Sequence, residues 1–180
     1  MSKNYSPSTR SVIGDIAVGM KVNTGVFSTA TYINHVTNTG QFELFKIYGT
    51  ILWQRLYIEF ITDNGGGASL VGFTYTFTTP VIAVKPMSAV SASVAALVRG
   101  SRIVCLGGAV NTPAGLTVAT GGYSDLAVTP GVLGGEGFIG TIGMVTTTAT
   151  SASGTAQAFL YYVPMSDGAY AEANALPANP

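Results

Sequence analysis

The chain has 180 residues, enough for one domain with a sizeable core. Its 8 Lys and Arg residues balance its 8 Asp and Glu residues, so no basic excess is present to bind phosphates, and we expect no nucleic-acid partner. With 1 Cys and 1 His the chain can build neither an intrachain disulfide nor a metal site based on cysteines or several histidines, and we expect no metal and no other cofactor.

The surface chemistry is unusual for a globular chain. Charged residues make up 9% of the sequence, against a usual level of about 25%. The mean hydropathy is +0.41. Because low charge weakens the repulsion that keeps proteins apart, this composition favours a chain whose surface is covered by copies of itself or by other subunits.

Both ends differ from the middle. Residues 1–23 are polar and rich in turn formers, and they predict a flexible N-terminal arm. They contain no apolar run typical of a signal peptide, so we expect synthesis in the cytoplasm and no membrane partner. Alternating strands also occur in exported outer-membrane proteins, which is the alternative. Residues 171–180 predict a loose tail, which leaves one domain over residues 24–170.

Strand patterns dominate the first half of that domain. They cover residues 24–33, 41–48, 51–62 and 70–79. In the third of these, Leu56, Ile58 and Phe60 alternate with Arg55, Tyr57, Glu59 and Ile61. Such a period of two predicts a strand with one face in the core and the other turned outward.

The second half continues the pattern less strongly. Strands are predicted at residues 80–84, 94–98, 102–106, 115–120, 137–150 and 155–163, with a short helix over residues 88–98 as the alternative to strand there. Strands at this spacing with Gly-rich turns predict an all-β fold, namely an antiparallel β-sandwich of jelly-roll type.

Residues capable of catalysis are scattered. His35 has no neighbouring nucleophile in the sequence, and Cys105 lies in an apolar strand, which predicts a buried structural thiol. Glu43 and Glu59 fall on consecutive predicted strands, and cross-strand ion pairs with the Lys and Arg residues of the same strands explain them without catalysis. We therefore expect no catalytic residues and no enzymatic activity.

Aromatic and basic residues point to binding instead. Candidate interface residues are Tyr5 and Arg10 in the arm, with Trp53 and Tyr57 in the strongest strand. An alternative is that aromatic residues form a platform for sugar, and the residues considered for it are Trp53, Tyr57, Tyr161 and Tyr162.

Two stretches carry a resemblance. Residues 44–51 (LFKIYGTI), followed by residues 56–62 (LYIEFIT), resemble paired strands of small virion proteins of tailed bacteriophages. The aromatic strand and turn at residues 159–169 (FLYYVPMSDGA) is similar to the C-terminal part of the same proteins. The resemblance spans about a quarter of the chain, and its motifs are structural positions, so no site residue carries over.

The resemblance implies a function. Proteins of this kind are β-sandwich subunits that coat or reinforce capsids, commonly as trimers. It implies a capsid decoration (cement) protein at the capsid surface of the virion, with the major capsid protein and two further copies of itself as partners. The alternatives are a head-binding or knob domain of a tail fibre or spike, and a carbohydrate-binding module.

Overall fold

The structure is a computed structural model. It describes residues 19–30, 41–66, 70–87, 91, 94, 97–105, 115–117, 130–146 and 152–175. The strands are β1 (Met20–Asn23), β2 (Phe27–Ser28), β3 (Phe42–Tyr48), β4 (Ile51–Phe60), β5 (Gly65–Gly66), β6 (Val71–Thr79), β7 (Val81–Pro86), β8 (Arg102–Cys105), β9 (Gly115–Thr117), β10 (Gly131–Leu133), β11 (Ile139–Thr146), β12 (Ala152–Ser153), β13 (Thr155–Pro164) and β14 (Tyr170–Ala173).

The strands form two main antiparallel sheets that pack together. Sheet A has the order β1-β13-β4-β8-β9, with β10 also paired to β4 and β2 to β13. Sheet B has the order β14-β3-β11-β6-β7, and β5 pairs with β12 separately. This arrangement confirms the predicted all-β sandwich.

The core lies between the two sheets and follows the alternation of the longest strands. In β13 every second residue from Ala156 to Pro164 is buried, while those between are half-buried. The largest fully buried side chains come from both sheets and are Phe42, Leu44, Phe45, Ile47, Ile51, Leu56, Ile58, Phe60, Phe73, Ile103 and Ile142. Each such side chain contributes roughly 1.5–3 kcal/mol by leaving water.

The sandwich extends beyond the boundaries expected from the sequence. Strand β1 lies in the stretch assigned to the N-terminal arm and pairs with β13, and β14 lies mainly in the stretch assigned to the tail and pairs with β3. Residues 1–18 and 176–180 are outside the described residues.

Two predicted strands differ from the structure. Of residues 24–30, only Phe27–Ser28 form a strand. Val94 and Leu97 are buried in the core without belonging to a strand. The buried Asn64 explains their position, because its backbone N–H donates to the Leu97 carbonyl at 2.7 Å and its side-chain amide donates to the Val94 carbonyl at 2.7 Å. The helix considered over residues 88–98 falls largely outside the described residues.

The chain changes sheet between β3 and β4. Gly49, with a φ of 72°, occupies the turn between them in a conformation that other residues rarely adopt. Glu43 therefore lies on sheet B and Glu59 on sheet A, and the expectation that they sit on neighbouring strands is wrong. Glu43 accepts a hydrogen bond from Asn174 instead.

Candidate functional site

The outer face of sheet A carries a cluster of aromatic and basic side chains. Lys21 lies on β1, Phe159 and Tyr161 on β13, Tyr57 on β4 and Arg102 on β8, and these four strands are consecutive in the sheet. The register pairs Lys21 with Tyr161 and Tyr57 with Phe159. Since paired residues of an antiparallel sheet project to the same side, the five side chains share one surface, which we call the aromatic face.

Tyr57 is the centre of the aromatic face. Its ring stacks on Phe159 with centroids 4.9 Å apart and planes 20° apart. It also stacks on Tyr161, with centroids 6.3 Å apart and planes 19° apart. Three nearly parallel rings on adjacent strands produce a flat surface, and Tyr57 is only 8% exposed within it.

A cation lies at each end of this row of rings. The Nζ atom of Lys21 is 4.9 Å from the ring centroid of Phe159 and 5.6 Å from that of Tyr161. The guanidinium carbon of Arg102 is 5.1 Å from the ring centroid of Tyr57. Each cation–π contact contributes about 0.5–2 kcal/mol, depending on how far it is removed from water. The contacts hold the long basic side chains close to the sheet.

Glu59 fixes Arg102 further. The Nη2 atom of Arg102 is 2.6 Å from the Oε2 atom of Glu59, and Nε donates a hydrogen bond of 2.8 Å to the same oxygen. The two residues are directly opposite in the register of β4 and β8. The contacts with Glu59 therefore restrain the Arg102 guanidinium in the position where it lies over the Tyr57 ring.

The burial of Tyr57 also affects its protonation. Burial raises the pKa of Tyr57 above its ordinary value of 10.0, and the side-chain hydrogen bond with Tyr161 raises it further. The charge of Arg102 opposes this rise in pKa. Tyr57 therefore stays neutral at physiological pH.

An aliphatic row borders the aromatic face. Val132 of β10 and Val163 of β13 are both paired with Leu52 of β4, so the three side chains lie side by side. Val132 is 60% exposed. The next row contains Arg55, which is paired with Tyr161 and exposed. The outer face of sheet A thus presents apolar surface beside basic groups.

Charge on this surface is unbalanced, although the whole chain is neutral. Its described basic groups are Lys21, Arg55 and Arg102, and the acidic group beside them is Glu59, which gives a local charge of +2 within a chain of net charge +0. A partner that covers it therefore gains from carrying acidic groups.

Trp53 and Tyr57, the two candidate interface residues of β4, lie on opposite faces. Trp53 is 4% exposed in the core, beside Gly131, where a Cβ would lie 2.7 Å from the indole nitrogen. The physical reason is a bulge, because Arg55 pairs with Tyr161 while Trp53 pairs with Tyr162, which leaves Gln54 as an extra residue. Trp53 therefore lies in the core rather than on the outer face with Tyr57. Tyr5 and Arg10 lie outside the described residues.

The four aromatic residues considered for a sugar platform do not come together. Tyr57 and Tyr161 are on the outer face, whereas Tyr162 is buried with Trp53 on the inner face. The hydroxyl of Tyr162 accepts a hydrogen bond of 3.0 Å from the backbone N–H of Ala171 and donates one of 3.3 Å to its carbonyl. Tyr162 thus joins β13 of sheet A to β14 of sheet B.

Other chemistry is limited within the described part of the chain. Cys105 is buried on β8, as its apolar surroundings predict. No group of three or more His, Cys, Asp or Glu residues there is arranged to hold a metal ion. In the same residues, no helix has the length and apolar character needed to cross a membrane. His35 is outside the described residues.

Sequence reasoning missed Lys21, Arg102 and Phe159 as members of the aromatic face. The alternation of Phe159 with Tyr161 signals that these two share a side of β13. Lys21 and Arg102 carry no such signal, because their place on the face depends on which strands become neighbours.

Comparison with protein-family models, with curated proteins and with solved structures found no match.

Proposed function

We propose that the protein is a non-enzymatic structural subunit of a bacteriophage virion, which decorates and stabilises the capsid by binding between capsomers. The sequence resemblance to phage decoration proteins suggests this role, and the sandwich fold agrees with it. The aromatic face carries the proposal, because Tyr, Phe and Arg are the residues enriched at the centres of protein interfaces.

The geometry of the aromatic face suits contact with another protein. Its rings are already stacked and its cations are already held, so little side-chain freedom remains to be lost on binding. The aliphatic row of Leu52, Val132 and Val163 enlarges the apolar area beside it. We propose the major capsid protein as the partner, with an acidic surface opposite Lys21 and Arg102.

Self-association is the second element of the proposal. With 9% charged residues the chain has little electrostatic repulsion between copies. A homotrimer would repeat the aromatic face three times, and several weak contacts made together bind a capsid far more strongly than one.

A binding assay with capsids of the phage that encodes the chain tests the proposal. Tyr57→Ala removes the ring on which Phe159 and Tyr161 stack, so the aromatic face loses its flat arrangement, and co-sedimentation with capsids should weaken at least tenfold in a variant that circular dichroism shows to be folded. Val81→Ala is the matched control, because Val81 is 88% exposed on sheet B. Equal binding of both variants and the unchanged protein would reject the aromatic face as the capsid contact.

The same assay tests the N-terminal arm. Removing residues 1–18 deletes the part of the predicted arm that precedes β1 and keeps β1 and Lys21 in sheet A. A truncated chain that starts at Thr24 would lose β1 and Lys21 as well, so the effect of the arm on binding could not be separated from the effect of Lys21. The proposal predicts weaker capsid binding for the shorter deletion. Unchanged binding would show that the arm takes no part.

The alternatives are a head-binding or knob domain of a tail fibre or spike, and a carbohydrate-binding module. A fibre domain would give a protein found on tails rather than on capsid surfaces, which peptide mass spectrometry of separated virion parts would reveal. One observation favours sugar binding as an additional property of the protein, namely the stacked rings of Tyr48 and Tyr170 on sheet B.

A further inference from the structure

Sheet B has its own pair of stacked aromatic rings, and acidic groups rather than basic ones predominate beside them. Tyr48 of β3 and Tyr170 of β14 are paired in register, and their rings stack with centroids 4.4 Å apart and planes 15° apart. Strand β14 is the edge of the sheet, and Tyr170 is 42% exposed. One face of the Tyr170 ring is covered by Tyr48, so the opposite face is turned away from that partner.

Polar groups lie beside these rings and further along the same edge of sheet B. The Tyr48 hydroxyl donates a hydrogen bond of 3.0 Å to Oε1 of Glu172. Lys46 is opposite Glu172 in the register and is exposed. Further along the same side, the Asn174 amide donates to Oε2 of Glu43 at 3.0 Å. A carboxylate, with an ammonium group opposite it in the register, therefore lies next to a stacked aromatic surface.

We propose that this edge of sheet B is a saccharide-binding site, with Tyr170 as its stacking surface and Glu172 as its principal hydrogen-bond acceptor. A pyranose ring has an apolar face of C–H groups that packs on an aromatic ring, and a rim of hydroxyls that donate to carboxylates. Tyr170 and Glu172 are two residues apart on β14, so both project to the same side of the strand.

The chemistry also restricts the class of sugar. Glu43, Glu172 and Lys46 give this edge a charge of −1. An anionic sugar stacked on Tyr170 would lie beside the Glu172 carboxylate, with a second carboxylate, Glu43, further along the same edge. The site therefore fits neutral hexoses, and it disfavours acidic sugars such as sialic acid.

The Glu172 carboxylate is held in place before a ligand arrives. The bond from Tyr48 restrains Glu172, and the same bond raises the pKa of Tyr48 above its ordinary value of 10.0, since the phenol is favoured in its neutral, donating form. A restrained carboxylate loses less side-chain entropy when it accepts hydroxyl donors. The proposed site stands apart from the capsid proposal, because none of its residues belongs to the aromatic face.

Saturation-transfer-difference NMR on the full chain tests the site. The probes are the methyl glycosides of glucose, galactose and N-acetylglucosamine, with N-acetylneuraminic acid as the acidic sugar. We expect at least one neutral glycoside to bind and the acidic sugar to bind more weakly. Absence of binding by all three neutral probes, or stronger binding by the acidic sugar, would overturn the proposal.

Variants locate the binding on Tyr170 and Glu172. Tyr170→Ala should weaken binding about tenfold, because it removes the stacking surface, whereas Tyr170→Phe keeps the ring and should stay within about twofold. Glu172→Gln should weaken binding about threefold, because a charged acceptor becomes a neutral one. Circular dichroism checks that each variant is folded. Binding that survives Tyr170→Ala unchanged in a folded protein would overturn the assignment.

The same variants separate this proposal from the capsid proposal. Tyr57→Ala should bind sugar normally, and Tyr170→Ala should bind capsids normally. Loss of sugar binding in Tyr57→Ala, with Tyr170→Ala unaffected, would move the sugar site to the aromatic face and contradict its assignment to sheet B.

Discussion

The two outer faces of the sandwich differ although the inner faces are built in the same way. On sheet A the rings of Tyr57, Phe159 and Tyr161 form one flat row with cations at both ends. On sheet B the rings of Tyr48 and Tyr170 lie at an edge beside carboxylates. The inner faces are constrained by packing, so the outer faces are free to differ in charge and exposure, and the two binding sites that we propose rest on that difference.

The largest expected loss of stability comes from a pair of variants that tests which aromatic residues of β4 and β13 face the core. Trp53→Ala should lower the free energy of unfolding by about 3–5 kcal/mol, because it leaves a cavity in the core. Tyr161→Ala, at the half-buried outer position, should cost less than half as much. Denaturant unfolding measures both. Equal losses would show that the inner and outer assignment of β4 and β13 is incorrect.

Removing a single tyrosine hydroxyl also tests which aromatic residues face the core, with a smaller expected loss of stability. Tyr162→Phe should cost about 1–3 kcal/mol, because the buried N–H and carbonyl of Ala171 lose their partner. The matched Tyr161→Phe removes a hydroxyl from the outer face, where water replaces it, and should cost under about 1 kcal/mol. Thermal unfolding of the two variants side by side gives the comparison. A larger loss for Tyr161→Phe would contradict it.

The ion pair on sheet A should respond to salt. Arg102→Ala should lower the free energy of unfolding by about 1 kcal/mol, and the loss should shrink at high ionic strength because the pair with Glu59 is partly exposed. Lys46→Ala is the control on sheet B, where the ammonium group is exposed, and it should have almost no effect. A loss independent of salt would assign the role of Arg102 to packing on Tyr57 alone.

The smallest expected effect is an alkaline loss of stability. The pKa values of Tyr57 and Tyr48 are raised above 10.0 in the folded protein, so unfolding releases protons above that pH and stability falls as pH rises through and beyond it. Tyr57→Phe should reduce this slope, because Tyr57 is the more buried of the two. Unfolding midpoints from neutral pH to pH 11 measure it. A slope that is unchanged in Tyr57→Phe would contradict the burial of this hydroxyl.

The long strands and the sandwich could be predicted from the sequence, and the pairing of strands could not. Alternation of residue types located β4, β6 and β13 to within a few residues, and in β13 it matches a structure in which every second side chain is buried. Strands β1, β10 and β14 have only three or four residues, and they exist because a longer strand lies beside them. No local pattern in the sequence carries that information.

The members of the aromatic face could likewise be predicted only in part, because strand pairing decides which residues meet there. Tyr57 was predicted as an interface residue because it alternates with Leu56 and Ile58. Trp53 has the same parity as Tyr57, and only the extra residue Gln54 in the bulge sends it to the core. Arg102 reaches Tyr57 because β8 pairs with β4, a contact between residues more than forty positions apart in sequence.

The most direct test of the assembly proposal is the native mass of the purified protein by light scattering, at two concentrations and in parallel with Tyr57→Ala. The proposal predicts a mass near three times 18.5 kDa at both concentrations. A clean monomer at both concentrations would contradict obligate trimer formation, and would leave only assembly on the capsid itself or the carbohydrate-binding alternative. A trimer that persists in Tyr57→Ala places the contact between copies elsewhere and leaves the aromatic face to the capsid.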